Sequence, residues 1–213
     1  MIAFLEANTP FPDPNTASAE GLLAIGGDLS VDRLMQAYNH GIFPWYSQND
    51  PIMWWSPDPR MVLFPEELKV SKSFAKTLRS GVFRVSFNME FERVINACAK
   101  IPRADQQDTW ITQEMQDAYI DLHREGHAQS VEVYLEEQLV GGLYGINLRK
   151  QGVFCGESMF STVSNASKVG FHALVTELKA QQYRLLDCQM HTDHLASLGA
   201  REIPRTEFLK YLK

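Results

Sequence analysis

Two polar side chains break an otherwise apolar run near the end of this chain, Leu185-Leu186-Asp187-Cys188-Gln189-Met190. Strand side chains alternate between faces, so Asp187 and Gln189 are expected on one face and Leu186, Cys188 and Met190 on the other. Polar groups in such a strand are costly unless paired. They either bond a neighbouring loop or line a cleft where strands end. Glu157 poses the same problem in Gly152-Val-Phe-Cys-Gly-Glu-Ser-Met-Phe160. A carboxylate there meets a cation, faces a cleft or marks an edge strand. Gly156 beside it permits a bulge or the close approach of a ligand.

Other groupings point to less chemistry. Cys188, His191 and His194, with Asp193 nearby, fit no common zinc spacing and read as a core cysteine with two loop histidines. No serine or cysteine sits in a Gly-x-Ser-x-Gly elbow. Gly26-Gly27-Asp28 is a turn without the Gly-Lys-Ser/Thr ending of a phosphate loop. From Leu68 to Met89 there are five cations (Lys69, Lys72, Lys76, Arg79 and Arg84) and no acid. The chain's net charge is −6, so the remainder carries −11. Lys72, Lys76 and Arg79 fall at i, i+4 and i+7, one helix face. That face is either solvated or a site for phosphate backbones. Seven aromatics between Tyr38 and Phe64, among them Trp45, Trp54 and Trp55, read mainly as a core wedge, with one or two able to stack a base.

The elements that would carry these residues follow from caps and periodicity. Ser30 starts a helix through Asn39, with Leu34, Ala37 and Tyr38 as its apolar stripe and Gly41 and Pro44 beyond its end. Residues 71–80, 91–99 and 113–125 read as helices, and 83–87, 130–135, 138–147 and 152–160 as strands. Asn165 is the expected cap of a helix to Ala180, followed by a strand over 183–190 and a short helix over 194–198. Three strands, a helix and a strand make a mixed sheet with an α/β ending. The chain changes character near residue 65. Before it come Pro, Gly, aromatics and short elements, and after it longer regular ones.

Composition bounds the rest. The 213 residues are 45% hydrophobic and 22% charged, as in globular proteins and unlike disordered chains. No apolar run approaches the ~18–20 residues of a membrane span, and the first residues lack the features of a secretory signal. Three widely spaced cysteines, Cys98, Cys155 and Cys188, read as reduced thiols rather than a disulfide framework.

Taken together, the motifs resemble the leucyl/phenylalanyl-tRNA–protein transferase family. The matching stretches are Gly21–Ser30, Gly41–Tyr46, Met53–Arg60, Thr109–Ile111, Val140–Gly145, Cys155–Ser161, Asn165–Lys168, Asp187–Gln189 and His194–Ala200, in family order over nearly the whole chain. The resemblance implies a bacterial cytoplasmic aminoacyltransferase without cofactor or metal. It would move Leu or Phe, and sometimes Met, from aminoacyl-tRNA to an N-terminal Arg or Lys of a protein, marking that protein for degradation. It implies an α+β or mixed α/β fold, a small N-terminal α/β domain (1–64) packed on an N-acetyltransferase-like domain (65–213). By the same resemblance Asp187, Gln189 and Glu157 form the reaction centre. Trp54 and Trp110 flank the tRNA's terminal adenosine, and Leu143, Phe154, Gly156 and Ser158 surround the aminoacyl group. Lys72, Lys76, Arg79 and Arg84 contact the tRNA. No role is assigned to the acidic, Gln-rich 100–108 segment.

The implied reaction, aminolysis of an ester, suits this inventory. An α-amine with pKa ~7.7–8.0 is partly neutral near pH 7, so alignment matters more than a strong base. Asp187 would fix and polarise Gln189, and Gln189 would orient the amine. Glu157, with Asp187, would attract a cationic acceptor. Other readings are an acyl-CoA N-acyltransferase, an RNA-binding module without catalysis and a zinc protein. The first is disfavoured because Phe160-Ser-Thr-Val-Ser-Asn165, ahead of the helix, has no glycine to cradle a pyrophosphate.

Overall fold

The computed structural model describes residues 2–101 and 109–213, so most of the 100–108 segment lies outside the described residues. The first part of the chain builds a four-stranded sheet from β1 (Ala3–Leu5), β2 (Leu22–Gly26), β3 (Phe43–Pro44) and β4 (Met53–Trp55), in the order β1-β2-β4-β3. Helix α1 (Val31–Asn39) starts as expected, with Ser30 Oγ accepting from the Arg33 backbone N–H.

The larger sheet has seven strands: β5 (Arg60–Leu63), β6 (Phe83–Phe87), β7 (Ala128–Leu135), β8 (Gln138–Leu148), β9 (Val153–Ser161), β10 (Leu185–Gln189) and β11 (Arg201–Ile203). Their order is β11-β5-β10-β9-β8-β7-β6. All neighbours are antiparallel except β9 and β10, which run parallel and are joined by α5 (Ala166–Ala180). This is the mixed α/β architecture expected.

Strand β5 departs from the expected organisation. A boundary at 64/65 assigns it to the first part, yet it lies inside the larger sheet between β10 and β11. All four of its residues are buried. One buried apolar cluster runs from Leu23, Leu34 and Tyr38 to Val94, Tyr119 and Ile146, so the two sheets share a core.

Helices cover both faces of the larger sheet. On one face lie α1, α3 (Phe91–Lys100) and α4 (Gln113–Arg124), against Tyr144, Ile146, Cys155 and Leu185. On the other, α5 sets Phe171, Leu174, Val175 and Leu178 against Leu143, Phe154 and Leu186. Neighbouring residues such as Cys155 and Phe154 fall in opposite cores, as the two-residue strand period requires. Helix α2 (Lys72–Ser80), capped by Ser71, joins this second face through Phe74. Two short helices, α6 (Asp193–Ser197) and α7 (Arg205–Phe208), flank β11. Asn165 stands before α5 but does not cap it. Its backbone is left-handed (φ 69°), and its side-chain amide turns to Thr77 of α2.

Two irregularities open the site. The β9–β10 pairing ends at Asp187 and Cys155, while β9 continues to Ser161 with β8 alone. Opposite Tyr144 and Gly145, β9 places three residues, Gly156, Glu157 and Ser158, so Glu157 is the extra residue of a bulge. Gly145 leaves room for this crossing. A Cβ there would stand 2.2 Å from the Cys155 carbonyl oxygen and 2.4 Å from the Phe154 ring. Gly145→Ala is therefore expected to destabilise the fold by about 1–3 kcal/mol, as other overpacked substitutions do, measured by urea denaturation. Unchanged stability would mean that β9 shifts freely at the bulge.

Candidate active site

Where β9 and β10 part, a cavity of about 430 Å³ opens. One side is apolar: Leu143, Met159, Phe171, Leu174, Leu186 and Leu195. The polar groups are few and convergent, chiefly Glu157, Ser158 and Gln189. Phe43, Pro44 and Trp45 from the first part, and Trp110 ahead of α4, complete the wall. Cys188 lines the cavity too, but burial raises its thiol pKa above the ordinary range, so it remains a neutral thiol.

Beneath the cavity lies a buried ion pair. Arg60 Nε and Nη2 donate to the two Asp187 carboxylate oxygens at 2.8 and 2.7 Å, with both side chains 1% exposed. Arg60 Nη1 donates to the Gly41 carbonyl at 3.1 Å. The guanidinium lies between the Phe43 and Phe208 rings, 4.9 and 4.6 Å from their centroids. Arg60 and Asp187 sit on adjacent antiparallel strands and point to the same sheet face as Val62 and Leu185.

Asp187 shapes Gln189 through the backbone. Its Oδ1 accepts from the Gln189 backbone N–H at 3.0 Å. Gln189 has φ 59°, the left-handed region, at the point where β10 slips register against β5. Strand alternation therefore fails there. Asp187 points into the core beneath the cavity, while Gln189 and Cys188 both line it. The expected common face for Asp187 and Gln189 is corrected accordingly. Asp187 is fully buried and engaged by Arg60, so it has no free edge for a cationic acceptor. Nor does it touch the Gln189 amide: Gln189 Nε2 donates instead to Glu157 Oε1 at 2.8 Å.

Glu157 is held from both sides. Tyr119 Oη donates to its Oε2 at 3.1 Å, and the Tyr119 and Tyr38 hydroxyls hydrogen-bond one another. Burial pushes the Glu157 carboxyl up to about 7. The hydroxyls of Tyr38 and Tyr119 and the Gln189 amide oppose that rise, and the Asp187 charge adds to it. Burial, with the Glu157 charge, raises both tyrosines well above their usual pKa, so they stay protonated as donors.

The expected site residues divide clearly. Glu157, Gln189, Leu143, Gly156, Ser158 and Trp110 line the cavity, and Asp187 supports it from below. Trp54 does not reach it. It is fully buried in the first part, its Nε1 donating to the Gly26 carbonyl at 2.8 Å and its ring meeting Phe11 edge-on. Its neighbours pair in β4 with β2 and β3, which turns the indole into that core. From the first part of the chain, the tryptophan at the cavity is Trp45, opposite number to Trp110 of the second part. Phe154 is also fully buried, lying over Gly145 on the α5 side rather than in the cavity wall. Arg60, Tyr38 and Tyr119 were not foreseen. An arginine directly before Met61-Val62-Leu63 was a signal that some buried acid needed a partner.

The cationic residues fall in two places. Lys72, Lys76 and Arg79 are exposed on α2. Arg84 is opposite Tyr134 on β6 and lies over its ring, 4.1 Å from the centroid, while its neighbours Phe83 and Val85 pack toward α2. Strand alternation puts it on the other sheet face, so it does not extend the α2 patch. Among the described residues no group of three or more His, Cys, Asp or Glu is placed to hold a metal, and no helix is long and apolar enough to cross a membrane. The three cysteines are buried and in no disulfide.

Comparison with known proteins gives a consistent result. The family model of leucyl/phenylalanyl-tRNA protein transferase matches residues 62–213, and that of its N-terminal domain matches 27–58. The chain is 56% identical over 209 residues to the leucyl/phenylalanyl-tRNA–protein transferase of Christiangramia forsetii, covering 98% of this chain and 99% of that one. It is 56% identical over 215 residues to the same enzyme of Pseudomonas syringae pv. syringae, covering 100% and 93%. Among solved structures, a GCN5-related N-acetyltransferase from Kribbella flavida matches with TM-score 0.35 and 14% identity over 79% of this chain and 59% of that one, too loosely to argue from.

Two outcomes follow from the buried charges. Arg60→Met strands the Asp187 carboxylate and is expected to cost about 3–5 kcal/mol in urea denaturation, whereas a loss below 1 kcal/mol would mean water replaces the guanidinium. Glu157 titrates near 7 folded against an ordinary 4.5, so its protonated form favours the fold. That stabilisation is complete below about pH 4.5 and is lost as pH rises through about 7. Wild type should therefore lose stability relative to Glu157→Gln across that window. A difference independent of pH would show that the carboxyl is ionised throughout.

Proposed function

The chain belongs to the leucyl/phenylalanyl-tRNA–protein transferase family, aminoacyltransferases that use aminoacyl-tRNA and protein substrates, and from that premise we propose how this cleft performs the transfer. The reaction is direct aminolysis. The acceptor's α-amine attacks the ester carbonyl of Leu- or Phe-tRNA, the new C–N bond forms, and the bond to the terminal ribose oxygen breaks. That oxygen leaves with the proton given up by the amine.

One observation carries this reading: Gln189 is fixed at the cavity by the hydrogen bond its side-chain amide donates to Glu157 and the one its backbone N–H donates to Asp187. With an amide N–H engaged, its carbonyl oxygen serves as the acceptor for the attacking amine. A carboxamide is a poor base, so its role is alignment, which is worth ~7–11 kcal/mol at best. Asp187 acts through the backbone as a positioning residue, and Arg60 holds Asp187.

Glu157 is the one acidic residue among the described residues lining the cavity. In this proposal its carboxylate attracts the cationic side chain of an N-terminal Arg or Lys, and such a cation lowers its pKa so that it ionises at neutral pH. The apolar wall takes Leu and Phe, and Met as a near shape, since apolar pockets separate such groups by only ~1–3 kcal/mol. Trp45 and Trp110 offer faces for the terminal adenosine, and Lys72, Lys76 and Arg79 meet tRNA phosphates. Acceptors carrying a new N-terminal Leu or Phe are then marked for degradation.

Labelled Phe offered as Phe-tRNA to peptides beginning with Arg or Ala tests the reaction and the acceptor rule together. Transfer to the Arg peptide alone is expected, without CoA or added metal. RNA binding without transfer would leave a binding module and remove the roles given to Gln189 and Glu157. Gln189→Ala should lower kcat by about 10²-fold, the scale of lost alignment, with little change in tRNA affinity.

A further inference from the structure

The Gln189 side chain makes one hydrogen bond among the described residues, the one its Nε2 donates to Glu157 Oε1 at 2.8 Å. A carboxamide has a donor end and an acceptor end of nearly the same shape. The state of Glu157 therefore decides which end faces it and which end faces the cavity. A carboxylate only accepts hydrogen bonds, whereas a carboxylic acid also donates one. The direction of the amide is thus tied to a single proton.

That proton has one place to go. Tyr119 Oη donates to Glu157 Oε2 at 3.1 Å, and the Tyr38 hydroxyl bonds that of Tyr119. Both tyrosines stay protonated, so Oε2 is kept as an acceptor. A proton on Glu157 then sits on Oε1, the oxygen that meets Gln189. Burial brings this exchange near neutrality, with the carboxyl pushed up to about 7. The other charged or titratable groups around it come from neighbouring strands. Asp187 opposes ionisation, Arg60 is already paired with Asp187, and Cys155 is a neutral thiol. No Lys or Arg stands among the described residues lining the cavity, and burial and the Lys168 charge keep its one histidine, His194, neutral. A cation that holds Glu157 ionised must arrive with a substrate.

We propose that the acceptor's own cationic side chain sets the Gln189 amide in its working direction. With Arg or Lys at the acceptor's N-terminus, Glu157 gives its proton to solvent and takes the Gln189 N–H, leaving the Gln189 carbonyl oxygen to the attacking amine. With a neutral residue there, Glu157 keeps the proton on Oε1 and donates it to the Gln189 carbonyl. The amide is then turned over, its N–H faces the cavity, and the amine has no acceptor. The acceptor is thereby chosen in the alignment step as well as in binding. This inference rests on the transfer proposed above. Tyr38 and Tyr119 are its positioning residues, because they reserve Oε2 and leave the proton to the oxygen beside Gln189.

Two acceptor peptides that differ only in their first residue, Arg or its neutral isostere citrulline, test this with Phe-tRNA as donor. The α-amine titrates nearly alike in both, so it cancels in the ratio of their kcat values. At about pH 6 the Arg peptide is expected to turn over about 10-fold faster, since a carboxyl titrating near 7 is then about nine-tenths protonated. The ratio should fall to about 1 by about pH 8.5, where Glu157 ionises unaided, while the citrulline peptide keeps the higher KM. In Tyr119→Phe the proton can sit on Oε2 and the amide keeps its direction, so the kcat ratio should lose its dependence on pH. A merely structural loss would slow both peptides and leave that dependence in place. A wild-type kcat ratio that does not vary with pH, a difference confined to KM, or an unchanged pH dependence in Tyr119→Phe would each overturn the proposal. Failure of the wild type to use the Arg peptide at any pH would instead overturn the transfer reading itself.

Discussion

A guanidinium and a carboxylate, both removed from water, meet where three stretches of the chain come together. Arg60 from β5 and Asp187 from β10 pair through two hydrogen bonds. The same guanidinium holds the Gly41 carbonyl and lies between the rings of Phe43 and Phe208. Removing two charges from water costs several kcal/mol each, and an apolar pair could fill the space at no greater cost. What an apolar pair could not supply is direction. Asp187 Oδ1, while accepting from Arg60, has a lone pair left for the Gln189 backbone N–H, and that bond supports a left-handed turn at a residue with a full side chain. The orientation of the cavity's amide thus depends on a charge pair that is buried and does not itself line the cavity.

The cavity combines two environments that would separate in solution. Its apolar wall lowers the local polarity, which pushes the Glu157 carboxyl up to about 7. Hydroxyl and amide donors limit that rise and fix the carboxylate's position. A carboxyl set near neutrality changes charge readily when a cation arrives. The bulge in β9 makes this possible. An unbroken strand has no place for the extra residue, whereas here Glu157 reaches the tyrosines of α1 and α4 and the glutamine of β10 together.

Much of this was legible in the sequence because it depends on local rules. Caps such as Ser30 and Ser71 fix helix starts, and the two-residue period separates Cys155 from Phe154 into opposite cores. Gly156 beside Glu157 signalled the bulge. What was hidden depends on partners far away in sequence. The period that works along most of β10 fails at Gln189, because a hydrogen bond from Asp187 supports a backbone conformation that composition does not reveal. Trp54 and Trp45 are equally aromatic. Their separation, one into the first core and one to the cavity, is decided by the pairing of β4 with β2 and β3. Asp187 read as a group free to polarise the Gln189 amide and attract a cationic acceptor, because nothing local shows that Arg60 already engages it.

The placement of β5 bears on when in the chain's lifetime the site can exist. This short strand leaves the first sheet early, yet its neighbours on either side are β10 and β11. Arg60 and Asp187 lie 127 positions apart. As the chain emerges from a ribosome, Arg60 is exposed long before Asp187 is made, and Phe208 follows later still. Strand β5 has no edge to pair with until β10 and β11 appear. Contacts of such long separation are closed late and slowly. Vectorial synthesis therefore leaves the Gln189 turn unformed until almost the whole chain has been translated, so a ribosome-bound fragment is no transferase.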